Sequence, residues 1–261
     1  MKNNAIGIID SGLGGLSIWS SIQKLLPNES TMYLADHAWA PYGDKSDGVI
    51  TERVKTLIRY LIDRSCKLIV IACNTATVAG IDQYRLWFPH IPIVGVVPVI
   101  KMAAATSKTR TFAVLSTVHT ANSDYQKRLI DTFANGCTVY SVGCPHLVEL
   151  IESGKTKGPV VEKIVSNIFK NRDPKIDTIV LGCTHFPFLH EAIRAIVGEG
   201  TAVLDSGGAV ARQVGRVLQS RGEVESNGGT FLFYTTGNPK KVSRVAGNLM
   251  DRVIEFSNAN L

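Results

Sequence analysis

The chain has 261 residues and a net charge of +6, and 45% of its residues are apolar while 19% are charged. This length suits one large α/β domain or two small ones, and the ordinary composition excludes a disordered or low-complexity chain. No apolar run approaches the roughly 20 residues of a membrane span. Residues 1–4 lead straight into a strand-like run, so we expect neither a membrane partner nor a signal peptide.

The cysteine and charge patterns indicate the cellular compartment of the protein and the class of its binding partners. Five cysteines, an odd number without a C-x-x-C pair, predict a reduced cytoplasmic chain without disulfides. The basic residues are scattered, and the densest groups, Lys240-Lys241 and Lys155 with Lys157, have no interleaved aromatic residues. We therefore assign the positive charge to solubility or to attraction of a small anion, and expect no nucleic-acid partner.

Apolar runs of strand length alternate with amphipathic runs of helix length along the chain. The predicted strands, in chain order, are residues 5–10, 31–36, 68–73, 91–97, 111–117, 138–144, 177–183, 202–206 and 230–236. The predicted helices between them include residues 46–65, 74–87, 121–134, 159–171, 187–197, 208–220 and 239–257. Such an alternation is typical of parallel sheets covered on both faces, in which ligands bind beyond the carboxyl ends of the strands.

A weak internal repeat predicts two domains, because nine strands are many for one open sheet of this length. One half has a strand ending at Asp10 and a second strand ending at Cys73, and the other half repeats this with Thr117 and Cys183. We therefore predict two similar α/β domains with mainly parallel sheets and an active site in the cleft between them. The first domain is expected to comprise residues 1–97 and 208–261, and the second residues 98–207.

The first turn, DSGLGG at residues 10–15, allows three interpretations. Its glycines let backbone N–H groups approach an anion at a helix N-terminus. It also resembles a dinucleotide fingerprint with Asp36 about 20 residues further on, but Ser17 stands where the third glycine should be, and Asp10 would lie against a pyrophosphate. The third interpretation is a tight turn with a buried cap.

Two cysteines stand out because each follows a strand and precedes hydrogen-bonding groups. IVIACNTAT at residues 69–77 contains Cys73, and IVLGCTHFP at residues 179–187 contains Cys183. A free cysteine is often only a small buried apolar residue, and that interpretation is adopted for three others, namely Cys66, Cys137 and Cys144. Structural zinc needs four ligands at close spacings, which no Cys/His cluster supplies, so no metal is expected. Two equivalent thiols on opposing domains suit removal of a proton from one face of a carbon and delivery to the other.

Other polar positions have simpler explanations. Ser46 is a plausible helix N-cap, and the hydroxyls of Thr117, Thr120 and Ser123 are expected mainly to cap helices. Five histidines are interpreted as structural or surface residues, namely His37, His90, His119, His146 and His190. Only His185, two residues after Cys183, has a neighbour that suggests a function.

Seven segments carry a resemblance to a known family. They are IGIIDSGLGGLS, YLADHAWAPYGDKS, IACNTATVAG, IPIVGVVP, LSTVHTANSDY, GCPHLVELIESG and VLGCTHFPFL, between residues 6 and 189. In this order and spacing, the chain resembles the glutamate racemases of the cofactor-independent aspartate/glutamate racemase superfamily. The motifs D-S-G-x-G-G, P-Y-G, C-N-T and G-C-T-H are highly specific together, whereas any one alone is weak.

The resemblance implies two α/β domains and interconversion of L-glutamate and D-glutamate, without pyridoxal phosphate, flavin or metal, for peptidoglycan synthesis. It implies that Cys73 takes the α-proton of D-glutamate and Cys183 that of L-glutamate. Asp10 is expected to assist Cys73, while Glu152 and His185 assist Cys183. The substrate-binding residues that it implies are Asp10, Ser11, Tyr42, Gly43, Asn74, Thr75, Thr117, Thr120, Thr184 and His185.

The chain departs from the family pattern in two segments. Residues 37–40 read HAWA where the family often has Thr-Ala-Arg, and Glu149 stands where proline is frequent, so a second carboxylate could share the role of Glu152. Aspartate racemase is the alternative within the superfamily, because the cysteine motifs do not measure the length of the substrate side chain. Family members differ in oligomeric state, and a homodimer is one option for this chain. Some members are reported to act on DNA gyrase, and here only the charge of +6 favours that interaction.

Overall fold

The computed structural model describes residues 4–226 and 228–261, and contains ten strands and eleven α-helices within those ranges. The strands are β1 (Ile6–Asp10), β2 (Thr31–Ala35), β3 (Leu68–Ile71), β4 (Ile93–Gly95), β5 (Thr111–Ser116), β6 (Thr138–Gly143), β7 (Thr178–Leu181), β8 (Ala202–Leu204), β9 (Phe231–Thr235) and β10 (Phe256–Asn258). The expectation about a signal peptide falls largely on residues 1–3, which lie outside the described residues.

The helices fill the gaps between the strands. They are α1 (Leu16–Leu25), α2 (Asp47–Ile62), α3 (Asn74–Trp87), α4 (Ile100–Thr106), α5 (Val118–Ala121), α6 (Asp124–Phe133), α7 (Leu147–Glu152), α8 (Pro159–Phe169), α9 (His190–Val197), α10 (Gly207–Arg221) and α11 (Pro239–Met250). No helix among the described residues is long and apolar enough to cross a membrane.

Two parallel sheets organise the chain and confirm the predicted fold class. The larger sheet has the strand order β10-β9-β2-β1-β3-β4, and the smaller has β6-β5-β7-β8. Every pairing of neighbouring strands is parallel, for example β1 with β3 and β5 with β7. The larger sheet takes its strands from both ends of the chain and the smaller from the middle. The domain limits near residues 97 and 208 stay a prediction.

Alternation along the central strand β1 builds a core on each face of the larger sheet. Ile8 packs in one apolar cluster with Trp19 of α1, while Ile9 packs in the cluster on the other side with Val54 of α2. All five residues of β1 are buried. A strand buried on both faces reads as a continuous apolar run, which is why β1 and β3 are visible in the sequence.

The predicted helix over residues 239–257 is wrong in its last turns. Helix α11 ends at Met250, and Asp251 takes a left-handed conformation with φ of 50°. The chain then adds a tenth strand, β10, in which Phe256 packs against Phe233 with ring centroids 5.5 Å apart. Burial of this aromatic side chain favours a strand at the sheet edge over continuation of the helix.

The predicted helix over residues 121–134 is also divided. A short helix, α5, ends at Ala121, and α6 begins at Asp124. The Oγ of Ser123 accepts a hydrogen bond from the backbone N–H of Gln126 and caps the second helix, as the sequence predicts. The Oγ1 of Thr117 likewise accepts from the N–H of Thr120.

Candidate active site

One cavity of about 220 Å³ collects residues that follow strands of both sheets. Its size suits a small metabolite, since drug-sized ligands occupy roughly 300–1,000 Å³. The predicted site residues that line it are Ser11, Tyr42, Gly43, Cys73, Asn74, Thr75, Thr117, Glu152, Cys183, Thr184 and His185. The other two, Asp10 and Thr120, are fully buried behind these lining residues.

Cys73 lies at the start of α3 and is held as a thiol. Its Sγ accepts a hydrogen bond from the N–H of Ala76 at 3.5 Å, and lies 3.7 Å from the Oγ of Ser11. Burial raises the pKa of Cys73 to about 12, and the nearby carboxyl of Asp10 acts in the same direction. A group with so high a pKa is protonated near neutral pH.

Asp10 ends β1 and braces the cavity from behind. Its Oδ1 accepts from the N–H of Gly12 at 2.9 Å, and its Oδ2 accepts from the Oγ1 of Thr184 at 3.1 Å. Burial raises the pKa of this carboxyl, although the hydrogen bonds and His185 oppose the shift. Asp10 therefore influences Cys73 through charge. Its hydrogen bond with Thr184 also links the larger sheet to the loop after β7.

Cys183 has a different partner. Its Sγ lies 3.7 Å from Nδ1 of His185, and Nε2 of the same ring lies 2.6 Å from Oε1 of Glu152. Burial alone would lower the pKa of His185, but its hydrogen bonds to Cys183 and Glu152 outweigh burial and raise the pKa well above its ordinary value. This ring can therefore carry a proton next to Cys183 and stabilise a thiolate there.

Glu152 ends α7 and is bound by three N–H donors. Besides His185, the N–H of Leu13 donates to Oε1 at 2.6 Å, and Nε2 of His37 lies 3.1 Å from Oε2. Burial would raise the pKa of Glu152, but the hydrogen bonds from His185 and His37 outweigh it and lower the pKa well below its ordinary range. These hydrogen bonds therefore favour the charged carboxylate form of Glu152.

His37, interpreted from the sequence as a structural or surface residue, contacts the predicted catalytic carboxylate of Glu152, and the sequence analysis did not anticipate this contact. Two signals in the sequence could have found it. The residue directly follows the strand predicted over residues 31–36, and it precedes the P-Y-G turn that lines the cavity. Sequence reasoning also missed Cys144 and His146, which line the same cavity.

The glycine turn after β1 receives an anion, but the anion is a side chain of this protein. The backbone of Leu13 binds the carboxylate of Glu152. A Cβ atom at Gly12 would collide with that carboxylate, and a Cβ at Gly14 would collide with the ring of His185. The turn therefore needs glycine where the second half of the chain approaches its backbone.

Asp36 is not positioned for a dinucleotide ribose. It is fully buried, and its two oxygens accept hydrogen bonds from Arg53 Nε at 2.8 Å, Tyr42 Oη at 2.7 Å and Thr236 Oγ1 at 2.9 Å. The Nη2 of Arg53 makes a second bond at 2.6 Å. The dinucleotide interpretation of the first turn is therefore wrong, and this network instead fixes Tyr42 in the cavity wall.

Replacing Arg53 with alanine should destabilise the protein by about 3–5 kcal/mol, because the fully buried Asp36 would lose its charged partner. Urea unfolding followed by far-UV circular dichroism measures this loss. Lys55→Ala is the control, since that side chain lies on the same helix but pairs with the exposed Glu52 and not with Asp36. Its effect should stay below about 1 kcal/mol. Equal losses of unfolding free energy in the two variants would contradict the stabilising role of the Arg53–Asp36 pair.

Hydrogen-bond donors line the wall beside Cys73. Among the described residues, the buried Nδ2 of Asn74 has no protein partner. The hydroxyls of Thr75, Thr117 and Thr120 lie 3.1–3.3 Å from one another across the two sheets. Asn74 and Thr75 also begin α3, whose first N–H groups have no partners within the helix. This wall can bind a carboxylate.

The remaining acidic group of interest is Glu149. Its side chain is exposed and lines the same cavity, one turn before Glu152. Its sharing of the role of Glu152 stays a prediction. In the part of the chain that the structure describes, no group of three or more His, Cys, Asp or Glu residues is arranged to hold a metal ion.

Comparisons with known proteins agree on one family. The sequence model of a family described as Asp/Glu/Hydantoin racemase matches residues 6–214. The chain is 39% identical over 249 residues to a glutamate racemase of Pseudomonas putida, covering 94% of this chain and 93% of that protein. A crystal structure of a glutamate racemase isoform from Bacillus anthracis has a TM-score of 0.90 at 30% identity, covering 100% of this chain and 99% of that chain. The Escherichia coli glutamate racemase, in complex with L-glutamate and the activator UDP-MurNAc-ala, has a TM-score of 0.86 at 32% identity, covering 98% and 97%.

Proposed function

Since the chain belongs to the Asp/Glu/Hydantoin racemase family, we propose that it interconverts L-glutamate and D-glutamate by a two-base proton transfer between Cys73 and Cys183. One observation carries the proposal: two thiols that follow strands of different sheets line one cavity. An α-carbon between them would have one sulfur on each face. The names of the relatives support glutamate as the substrate.

The two thiols differ in their surroundings. Burial raises the pKa of Cys73, which favours its thiol form, while hydrogen bonding raises the pKa of His185, which favours a proton on the ring beside Cys183. The proton-carrying ring beside Cys183 supports the role that the family resemblance implies for this cysteine, namely action on L-glutamate. Acting on D-glutamate requires the proton of Cys73 to leave first.

Each step balances in protons. The Cys183 thiolate takes the α-hydrogen as a proton, an S–H bond forms, and the C–H electron pair stays on the substrate. Cys73 then gives its proton to the opposite face of the α-carbon and becomes a thiolate. The reverse sequence converts D-glutamate to L-glutamate. After each conversion the two cysteines have exchanged protonation states, so the pH dependence belongs to the coupled set.

The weak acidity of an amino-acid α-hydrogen makes carbanion stabilisation the difficult part. The Nδ2 of Asn74, which has no partner among the described residues, and the first N–H groups of α3 can hold the substrate carboxylate and the negative charge that grows on it. The hydroxyls of Thr75 and Thr117 add donors from the two halves of the chain. Such fixed donors act more strongly in a cavity from which water is excluded.

The experiment that tests the proposal follows the optical activity of L-glutamate by circular dichroism. We expect the signal to decay to zero, and in deuterated water the D-glutamate formed should carry deuterium at the α-carbon. L-Aspartate in the same assay tests the alternative substrate and should turn over much more slowly. A stable signal with L-glutamate contradicts the proposed activity, and faster turnover of L-aspartate would change the substrate.

The wider role is also proposed. D-Glutamate made by this chain would supply peptidoglycan synthesis, which is the role that the resemblance implies. The five cysteines are free in the structure, and this supports a reducing, cytoplasmic location. The homodimer and the gyrase interaction stay predictions.

A further inference from the structure

His37 is held by several contacts at the carboxyl edge of the larger sheet, just after β2. Its Nδ1 lies 2.8 Å from the Oγ1 of Thr235, at the end of β9, and its Nε2 lies 3.1 Å from Oε2 of Glu152. The Oγ1 of Thr235 also accepts from the N–H of Gly237 at 3.0 Å. A Cβ at Gly237 would come within 2.7 Å of the Cβ of His37. The His37 side chain therefore packs against the turn after β9, with its Nε2 facing Glu152.

These contacts determine where the ring carries its proton. The carboxylate of Glu152 can only accept hydrogen bonds, so Nε2 of His37 must carry a hydrogen and donate it. In the neutral ring Nδ1 is then bare and accepts the hydroxyl hydrogen of Thr235. That hydroxyl accepts from Gly237 with its oxygen, so every group in this chain of hydrogen bonds is satisfied.

The donors to Glu152 come from opposite sides of the cleft. Leu13 and His37 follow β1 and β2 of the larger sheet, whereas Glu152 and His185 belong to the segments around the smaller sheet. Oε1 of Glu152 accepts from Leu13 and His185, and Oε2 accepts from His37. With both oxygens bound, the carboxylate cannot turn about its last side-chain bond without breaking a hydrogen bond.

We propose that His37 is a positioning residue that fixes the Glu152 carboxylate, so that His185 faces Cys183 with Nδ1 and Glu152 with Nε2. This proposal rests on the proposed function, in which Cys183 is one of the two bases. The base on one side of the substrate is thereby completed by a residue of the opposite sheet. The family resemblance assigns no role to this position, where the chain departs from the family pattern.

The surroundings of the carboxylate contain further charged and titratable groups. Asp10 and Tyr33 lie on the side of the larger sheet and sense its charge. Glu149, Lys241 and Arg244 line a second cavity of about 550 Å³ on the other side, to which His37 and Glu152 also contribute. Two substitutions of His37 are therefore compared with each other, because both leave these surrounding charged groups unchanged.

The test compares His37→Asn with His37→Gln. The asparagine amide reaches the position of Nδ1 and can keep the contact with Thr235, but it is too short to reach Glu152. The glutamine amide reaches the position of Nε2 and can donate to Glu152 without titrating. His90→Ala is the control, because that histidine is exposed and outside both cavities.

The main measurement is the pH dependence of alkylation by iodoacetamide, resolved for each cysteine by peptide mass spectrometry. We expect His37→Asn to raise the pH of half-maximal reaction at Cys183 by roughly half a unit to one unit. Cys73, on the other face of the cavity, is the internal reference and should not shift. His37→Gln should resemble the wild type at both cysteines.

Racemisation gives the second measurement. A misplaced catalytic group typically costs about 10- to 100-fold in rate, so kcat of His37→Asn should fall by that factor while KM changes little. His37→Gln should restore most of kcat. Thermal melting of both variants identifies any general loss of structure.

Three results would overturn the proposal: an unchanged Cys183 profile in His37→Asn, an equal shift at both cysteines, or a shift of Cys183 to lower pH. The last would mean that His37 only weakens the basicity of Glu152 and does not orient it. Alkylation does not depend on turnover. If His37→Asn shifts the alkylation of Cys183 as expected but the wild type does not racemise glutamate, the proposed function fails while the positioning role of His37 stands.

Discussion

Replacing Cys73 or Cys183 with alanine is expected to lower racemisation by about 100- to 10,000-fold in both directions, the range that positioned acid–base groups contribute. Each turnover uses both thiols, one as the base and one as the acid, so neither direction can avoid the missing group. The assay is circular dichroism with L-glutamate and, separately, with D-glutamate. The loss should appear in kcat, since the donors of Asn74 and Thr75 remain in place.

Cys66→Ala is the matched control for this prediction. That cysteine is also buried and belongs to the same apolar cluster as Cys73, but it does not line the cavity. Cys144 is unsuitable as a control because it lines the same cavity as the two proposed bases. Thermal melting should place the three alanine variants close together. A folded Cys73→Ala protein that racemises at near the wild-type rate would refute the two-thiol mechanism.

Most of the fold can be predicted because its signals are local. Strands buried on both faces, such as β1, β3 and β7, appear as continuous apolar runs, and the polar residues that follow them mark the carboxyl edges of parallel sheets. Cys73 and Cys183 were found in this way. The tenth strand was missed because β10 has only three residues, and the burial of Phe256 depends on aromatic partners far away in the sequence.

The arrangement around Glu152 could not be read from the sequence for a related reason. Its partners Leu13, His37 and His185 are 139, 115 and 33 residues away along the chain. No periodicity or spacing connects them, because they meet only when the two sheets come together. The glycines of the first turn gave a correct signal that something approaches the backbone, but the sequence does not say that the approaching groups are side chains of this chain.

The glycine turn gives the second large prediction. Replacing Gly14 with alanine should reduce kcat by about 100-fold, because the new Cβ would overlap the ring of His185 and displace it from Cys183. Gly12→Ala should act similarly by displacing Glu152. Overpacking should also cost about 1–3 kcal/mol of stability. Steady-state kinetics, urea unfolding and alkylation of Cys183 measure these effects.

Gly48→Ala separates the steric effect from the general cost of replacing a glycine. Gly48 lies exposed in the first turn of α2, and a Cβ there would have no atom within 4 Å among the described residues. Alanine favours a helix over glycine by roughly 0.5–1 kcal/mol, so this variant should keep its activity and be no less stable than the wild type. Cys183 should become harder to alkylate in Gly14→Ala and remain unchanged in Gly48→Ala. If Gly14→Ala kept the wild-type kcat and the wild-type reactivity of Cys183, the close approach of His185 to the turn would not matter for catalysis, and the pairing of His185 with Cys183 would have to be assigned to other contacts.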